Sequence, residues 1–299
     1  MAGGKGNPNR MSRPRGLVNP LNRYGGIGSL ANAINNSGQV VGSSAMYDGS
    51  HACIWSNGTM TDLGPSFAYG TNDYGQVVGC NESDACIWGN GTMTDLGCLP
   101  GGSGSFANGI NNSGQVVGMT YTPNGAPAMH ACIWNNGTKT DLGPGIAYGT
   151  NDCGQVVGYS DVQRGCHAFL YSSGTKTDLG CLPSGSSSIA YAVNNSGQVA
   201  GRADTNDNAE HACIWSNGTL TDLNALIDPA SGWTLCAAMA INDSGQIAGY
   251  GFLAGNTDQT EAFLLTPVPE PATLSLLALA GSALLARRRK VTVERIRTR

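Results

Sequence analysis

Polar and apolar positions along this chain alternate in short runs, and the runs recur. Between Ser29 and Gly64 the stretches "SLANAIN", "QVVGSS", "HACIW" and "TMTDLG" follow one another, separated by Asn, Gly and Ser. Short apolar or alternating runs bounded by such residues are the pattern of strands joined by tight turns. The "NNSG" after the first run places Gly38 where a left-handed backbone is needed, which a residue with a Cβ adopts only with strain. Asn57-Gly58, between the third and fourth runs, is a two-residue hairpin signal in which both central residues take positive φ. Each unit therefore predicts four antiparallel strands.

The unit is written six times. The glutamine of its G-Q-[VI]-[VA]-G segment falls at Gln39, Gln76, Gln115, Gln155, Gln198 and Gln246, at steps of 37, 39, 40, 43 and 48 residues. A second anchor opens each third run: His51, Asp84, His130, His167, His211 and Glu261. Units one, three and five carry "NNSGQ", whereas units two, four and six carry Asn-Asp before the same turn, a rhythm that a duplicated pair of units would leave. A four-stranded unit of about 40 residues cannot cover both its faces alone, so copies must stack or close on one another. The period suits a propeller blade; solenoid coils are shorter and more even. The expected fold is all-β: a six-bladed propeller of four-stranded blades over residues 16–266. The last unit lacks a "TDLG" run, and "GLVNPLNRYGG" near the N-terminus aligns with "TDLGCLPGG". Residues 16–23 are therefore expected to supply the outermost strand of the last blade and close the ring, a place where Pro20 is tolerated.

Composition narrows the function. The chain has 299 residues, 44 of them Gly, with 12% charged and a net charge of −4. Lys and Arg lie mainly near the two ends, so no basic face is available for phosphates and nucleic acid is not an expected partner. Cys53, Cys86, Cys132 and Cys213 occupy one slot in different units, too far apart to bridge, and read as buried thiols. Cys80 and Cys86 are the one local candidate pair, with Cys80 facing Ala85 across the hairpin. One His per unit cannot converge on a metal ion. Counting across the Asn-Gly turn instead sets His51 diagonal to Asp62, predicting a His–Asp hydrogen bond between third and fourth strands, with Asp95, Asp141, Asp178 and Asp222 in the repeated role. "DTNDNAE" at 204–210 opens like a calcium loop but has Ala209 where the loop needs Gly and Trp215 at the twelfth place, so it reads as a polar connection. No catalytic set, cofactor or metal site is expected.

Two resemblances follow from these residues. The pattern A-x-x-I-N-x-x-G-Q-V-V-G, then H-A-F-L-W, then G-x-x-T-D-L-G resembles the bacterial extracellular HAF repeat family over about residues 24–266. The likeness is clearest at His167, Ala168, Phe169 and Leu170; Cys53, Cys86, Cys132 and Cys213 stand where that pattern has Phe. It implies an exported protein and brings no reaction with it. The tail "VPEPATLSLLALAGSALLARRRK" resembles a PEP-CTERM sorting signal, with Pro269, Glu270 and Pro271 in a linker at 267–271 and a basic cluster of Arg287, Arg288, Arg289 and Lys290. The apolar stretch 272–286, within a sorting segment at 272–290, is expected to be a C-terminal transmembrane helix, though shorter than the roughly 17 to 25 residues of a stable span. The basic cluster would hold its end, and a tail at 291–299, in the cytoplasm. The resemblance implies an exosortase-type sorting enzyme as partner, in bacteria that make exopolysaccharide, itself a candidate ligand. Residues 1–15 read as a disordered basic N-terminus without the apolar core of a signal peptide, so either a leader precedes Met1 or export has been lost.

In such a ring the Asn-x-x-Gly and Asn-Gly turns look structural, while the second-to-third connections vary from "CNESD" to "MTYTPNGAPAM" and offer a surface for binding. The expected function is a noncatalytic, exported cell-surface or matrix protein. The alternatives are a carbohydrate-binding propeller, with Tyr121, Tyr159, Trp233 and Tyr250 stacking on sugar rings, and a glycan hydrolase with its site on the same face.

Overall fold

A computed structural model describes residues 28–122, 129–206, 209–254, 256–268 and 291–296. The turns form as their residues dictate. Asn57 and Gly58 take φ of 49° and 77°, and the equivalent pairs from Asn90-Gly91 to Asn217-Gly218 do the same. In the Asn-x-x-Gly-Gln turn, Asn35 Oδ1 accepts the Gln39 N–H at 2.9 Å while the Gly38 N–H donates to Asn35 O at 3.0 Å, with Gly38 at φ 76°. One asparagine side chain thus does what a further pair of strand hydrogen bonds would otherwise do.

All described strands are antiparallel to their neighbours. Four sheets are separate four-stranded blades, spanning 29–65, 67–95, 188–222 and 233–267, the last completed by Val291–Arg295. Units three and four do not separate. Their strands form one seven-stranded sheet, because a single 13-residue strand, Thr138–Thr150, is both the outer strand of unit three and the inner strand of unit four. This corrects the expectation of six four-stranded blades. The cause is local: between units one and two, Ser66 breaks the run by bonding back to Ser50 O and Gly64 O, whereas unit three has Gly145 at that place, which at φ 129° carries one strand through from 138 to 150.

The last sheet brings two further corrections. Its outermost strand is Val291–Arg295, paired from Phe263↔Arg295 to Pro267↔Val291, so the place expected for an N-terminal strand is taken; residues 16–23 lie outside the described residues. The alternation of "VTVER" explains the fit, since Val291 and Val293 pack on the last core cluster and Arg295 pairs with Glu261. Nor does the expected transmembrane helix stand: among the described residues no helix is long and apolar enough to cross a membrane. Because Pro267 and Val291 are partners in one ladder, the chain that leaves the sheet at 267 returns to the same spot at 291. The stretch 272–286 itself lies outside the described residues.

Sheets pack through alternating faces of the second strand. Val41 packs with Ala68, Val77, Cys86 and Trp88 of the next sheet, and Val78 with Ala107, Val116, Cys132 and Trp134 of the one after. Each fully buried Val or Leu contributes roughly 1.5 to 3 kcal/mol. The inner strands are bulged at Asn32, Tyr69, Asn108, Tyr148, Tyr191 and Met239. Beside each bulge the inner-strand carbonyl presses on the final glycine of G-Q-V-V-G. A Cβ on Gly118 would lie 1.9 Å from Phe106 O, and Gly42, Gly79, Gly158, Gly201 and Gly249 meet the same obstacle at 1.8 to 2.0 Å.

Ring packing stops at one place. Ala68, Ala107, Ala147 and Ala190 are fully buried, but Ala31 in the first sheet is exposed, with Leu30 and Ile34 at 68% and 67%. Ala262 of the last sheet is exposed where Ala52, Ala85, Ala131, Ala168 and Ala212 are sealed. The described residues thus leave a seam between the last and first sheets.

The two kinds of glycine should separate in denaturation experiments. Gly114 has φ 80° and open space around its Cα, so Gly114→Ala should cost about 1 to 2 kcal/mol from backbone strain alone. Gly118→Ala should cost about 3 kcal/mol or more, because a backbone carbonyl must move.

Candidate functional site

One end of the ring axis is built by the six Asn-x-x-Gly-Gln turns. They line a cavity of about 530 Å³. Asn35 Nδ2 donates to Asn72 O at 2.9 Å, and the same bond runs from Asn72 to Asn111, Asn111 to Asn151, Asn151 to Asn194 and Asn194 to Asn242 at 2.8 to 3.1 Å. A second belt lies beside it. Backbone N–H groups donate from Asn36 to Asp73, Asp73 to Asn112, Asn112 to Asp152, Asp152 to Asn195 and Asn195 to Asp243, each to Oδ1 at 2.8 or 2.9 Å.

The alternation of Asn and Asp has a physical cause. Asn36 Nδ2 and Asn112 Nδ2 both donate to Asp73 Oδ2, Asn112 Nδ2 also reaches Asp152 Oδ2, and Asn195 Nδ2 reaches Asp243 Oδ2. Each carboxylate thus sits against amide donors rather than against a like charge. The Asn36 backbone N–H and the Asn112 amide hold the Asp73 carboxyl below the usual carboxylate range. Neither belt has a sixth link from Asn242 or Asp243 to the first sheet among the described residues. The polar groups of this mouth therefore serve the fold itself.

The His–Asp pairs form as the hairpin count predicts in four units, but not at Asp95, whose unit carries Asp84 in the histidine slot and whose carboxylate accepts the Gly97 N–H. Nδ1 of His51, His130, His167 and His211 lies 2.7 to 2.9 Å from Asp62, Asp141, Asp178 and Asp222. The carboxylates also accept the N–H two residues on, at Gly64, Gly143, Gly180 and Asn224, which fixes the turn leaving the fourth strand. Partial burial works against ionisation of Asp178, and the bonds from His167 and Gly180 outweigh it, so its carboxyl titrates low. All ten cysteines are free, and Cys80 faces Ala85. Burial pushes the Cys53 thiol up to about 11 and those of Cys86, Cys132 and Cys213 up to about 12, which leaves them protonated and unreactive.

Away from the turns, aromatic side chains gather along the inner strands. Tyr148 and Tyr191, at the bulges of successive units, have ring centroids 5.5 Å apart, and Tyr159 lies 6.1 Å from Tyr148. Tyr250 and the Arg202–Glu210 ion pair lie within electrostatic reach of Tyr191. Burial pushes the Tyr159 hydroxyl up to about 12 and raises Tyr148 as well. The structure therefore brings Tyr159 and Tyr250 together through Tyr148 and Tyr191, in strands rather than loops. Tyr121 is apart, edge-on to Phe106 at 6.0 Å, and Trp233 packs edge-on to Phe263 at 6.1 Å in the last core cluster. Tyr148, Tyr191, Arg202 and Glu210 were not singled out by sequence. Their signal is faint: in the inner strands the residue between Ala68 and Gly70 changes identity from unit to unit while its neighbours stay small. Pro269, Glu270, Pro271 and Arg287 to Lys290 lie outside the described residues.

Residues 267–290 match the PEP-CTERM protein-sorting motif. No curated protein matches the chain. Among solved structures the chain is similar to the β-propeller domain of the Trilobed protease from Pyrococcus furiosus, which has an open velcro topology. The TM-score is 0.53 at 11% identity, covering 79% of this chain and 80% of that one. It is also similar to an acylaminoacyl peptidase from Pyrococcus horikoshii, with TM-score 0.48, 10% identity and coverage of 79% and 44%. A third is XC5397 from Xanthomonas campestris, a gluconolactonase, with TM-score 0.46, 12% identity and coverage of 78% and 85%. The first of these likenesses places the fold among β-propellers.

The turn belts make two measurable predictions. Asn111→Ala strands the buried Asn151 carbonyl and should cost about 1 to 3 kcal/mol more than Asn242→Ala, which breaks bonds within its own turn only. Because Asp73 titrates low in the fold, its contribution is complete above the unfolded carboxylate value near about 4 and is lost as pH falls further. Denaturation midpoints between about pH 5 and pH 2 should therefore fall less steeply for Asp73→Asn than for the unaltered chain.

Proposed function

We propose that the protein is a noncatalytic component of the cell surface or extracellular matrix, delivered there through its C-terminal sorting motif. The observation that carries this reading is the PEP-CTERM match at 267–290, which begins where the last repeat strand ends. The motif marks an exported chain handled by an exosortase. The likeness of the repeats to the HAF type of extracellular repeat supports the same destination. The use made of polar side chains supports the noncatalytic part: the repeated Asn, Asp and His residues are engaged by their neighbours in the fold, and catalytic sets tend instead to occur once and to break the repeat.

The test is sorting in an exosortase-producing host. The chain, with a secretory leader supplied, is followed in cell fractions with antibodies to the repeat region, beside a Pro269→Ala, Pro271→Ala variant. The unaltered protein should be shortened and recovered at the surface or in the medium, and the variant should stay full length in the membrane fraction. Identical size and distribution of the two would overturn the reading.

A further inference from the structure

The inner-strand bulge offers one freely chosen side chain per unit. In the first and third units that side chain closes the gap to the next unit, with Asn32 Nδ2 donating to Ala68 O at 2.8 Å and Asn108 Nδ2 to Ala147 O at 2.9 Å. Tyr148 and Tyr191 stand at the same slot and make no such bond. Their hydroxyls, and those of Tyr159 and Tyr250, have no hydrogen-bond partner among the described residues, yet none is sealed from solvent. Four phenols with unspent donors and acceptors thus cluster here: Tyr148, Tyr191 and Tyr250 lie within electrostatic reach of Arg202, Tyr159 joins them through Tyr148, and the Arg202 and Glu210 side chains keep 25% and 39% of their surface in water. A packing role alone would be met by Phe or Leu, as at Phe67 and Phe106 elsewhere on these strands.

We propose that Tyr148, Tyr159, Tyr191 and Tyr250, with the Arg202–Glu210 pair, form a binding site for a neutral polysaccharide. A pyranose ring presents a C–H face to an aromatic ring and hydroxyl groups at its rim, and tyrosine matches both with an apolar body and a polar tip. The guanidinium donates to neighbouring sugar hydroxyls while Glu210 accepts from them, and their charges cancel. That cancellation favours a neutral chain over an acidic one, as does the net charge of −4 on the whole protein. The proposal rests on the reading of the protein as an exported noncatalytic surface component only for its setting. A chain that is sorted but binds nothing sinks this site alone, and one that binds but is not sorted sinks that reading alone.

The experiment is affinity electrophoresis of the purified full chain in native gels containing dextran, xyloglucan, galactomannan or hydroxyethylcellulose, with alginate as the acidic counterpart. At least one neutral polymer should retard the protein and alginate should not. Tyr191→Ala and Arg202→Ala should each weaken retardation tenfold or more, while Tyr74→Ala, an exposed change at the turn mouth, should leave it unchanged. Thermal melting identifies variants that have lost the fold, and Tyr191→Phe and Arg202→Gln then replace them, each expected to weaken binding at least threefold. Retardation by no neutral polymer, by alginate alone, or equally by the unaltered protein and the folded site variants would overturn the proposal.

Discussion

The rest of the structure depends on one asparagine per repeat. Its carbonyl oxygen organises its own turn by accepting the glutamine N–H, and in the first five units its amide nitrogen crosses to the backbone of the next unit. A sheet built from hairpins spends most of its backbone donors in its own ladder, and those that do reach a neighbour, such as the Asn36 and Asp73 N–H groups, end on side chains there. Sheet-to-sheet order must then come from side chains. A short, rigid amide at the tip of the innermost turn supplies it with little loss of side-chain freedom.

The apolar interfaces complete what the turn begins. Val and Ala fit between successive sheets only because the bulge lets the inner strand lean onto a residue without a Cβ. That contact also decides where variation is allowed. The bulged residue itself escapes the ladder, so its side chain is free to become Asn, Tyr or Met without disturbing the rest.

Much of this was legible in the sequence and some was not. The repeat length, the turn types at Asn57-Gly58 and Gly38, and the pairing of His51 with Asp62 all follow from local geometry, which a sequence pattern records well. The fusion of units three and four turns on Ser66 against Gly145, a single-residue difference in backbone behaviour that no hydrophobic pattern reports. Residues 291–295 were read through the basic cluster before them, which hid their strand alternation. The tyrosine cluster was half visible: Tyr159 and Tyr250 stand out as aromatics, but that Tyr148 and Tyr191 join them depends on bulges, which shift register without leaving a clear mark on composition.

The amide–carboxylate belt also constrains how a ring of this kind can grow. Copying an aspartate unit alone would set carboxylate beside carboxylate with no amide between them, whereas an asparagine both donates and accepts and tolerates a copy of itself. Copying two together leaves every junction as it was. Such a belt bars neighbouring aspartates and can therefore lengthen by asparagine units or by whole pairs.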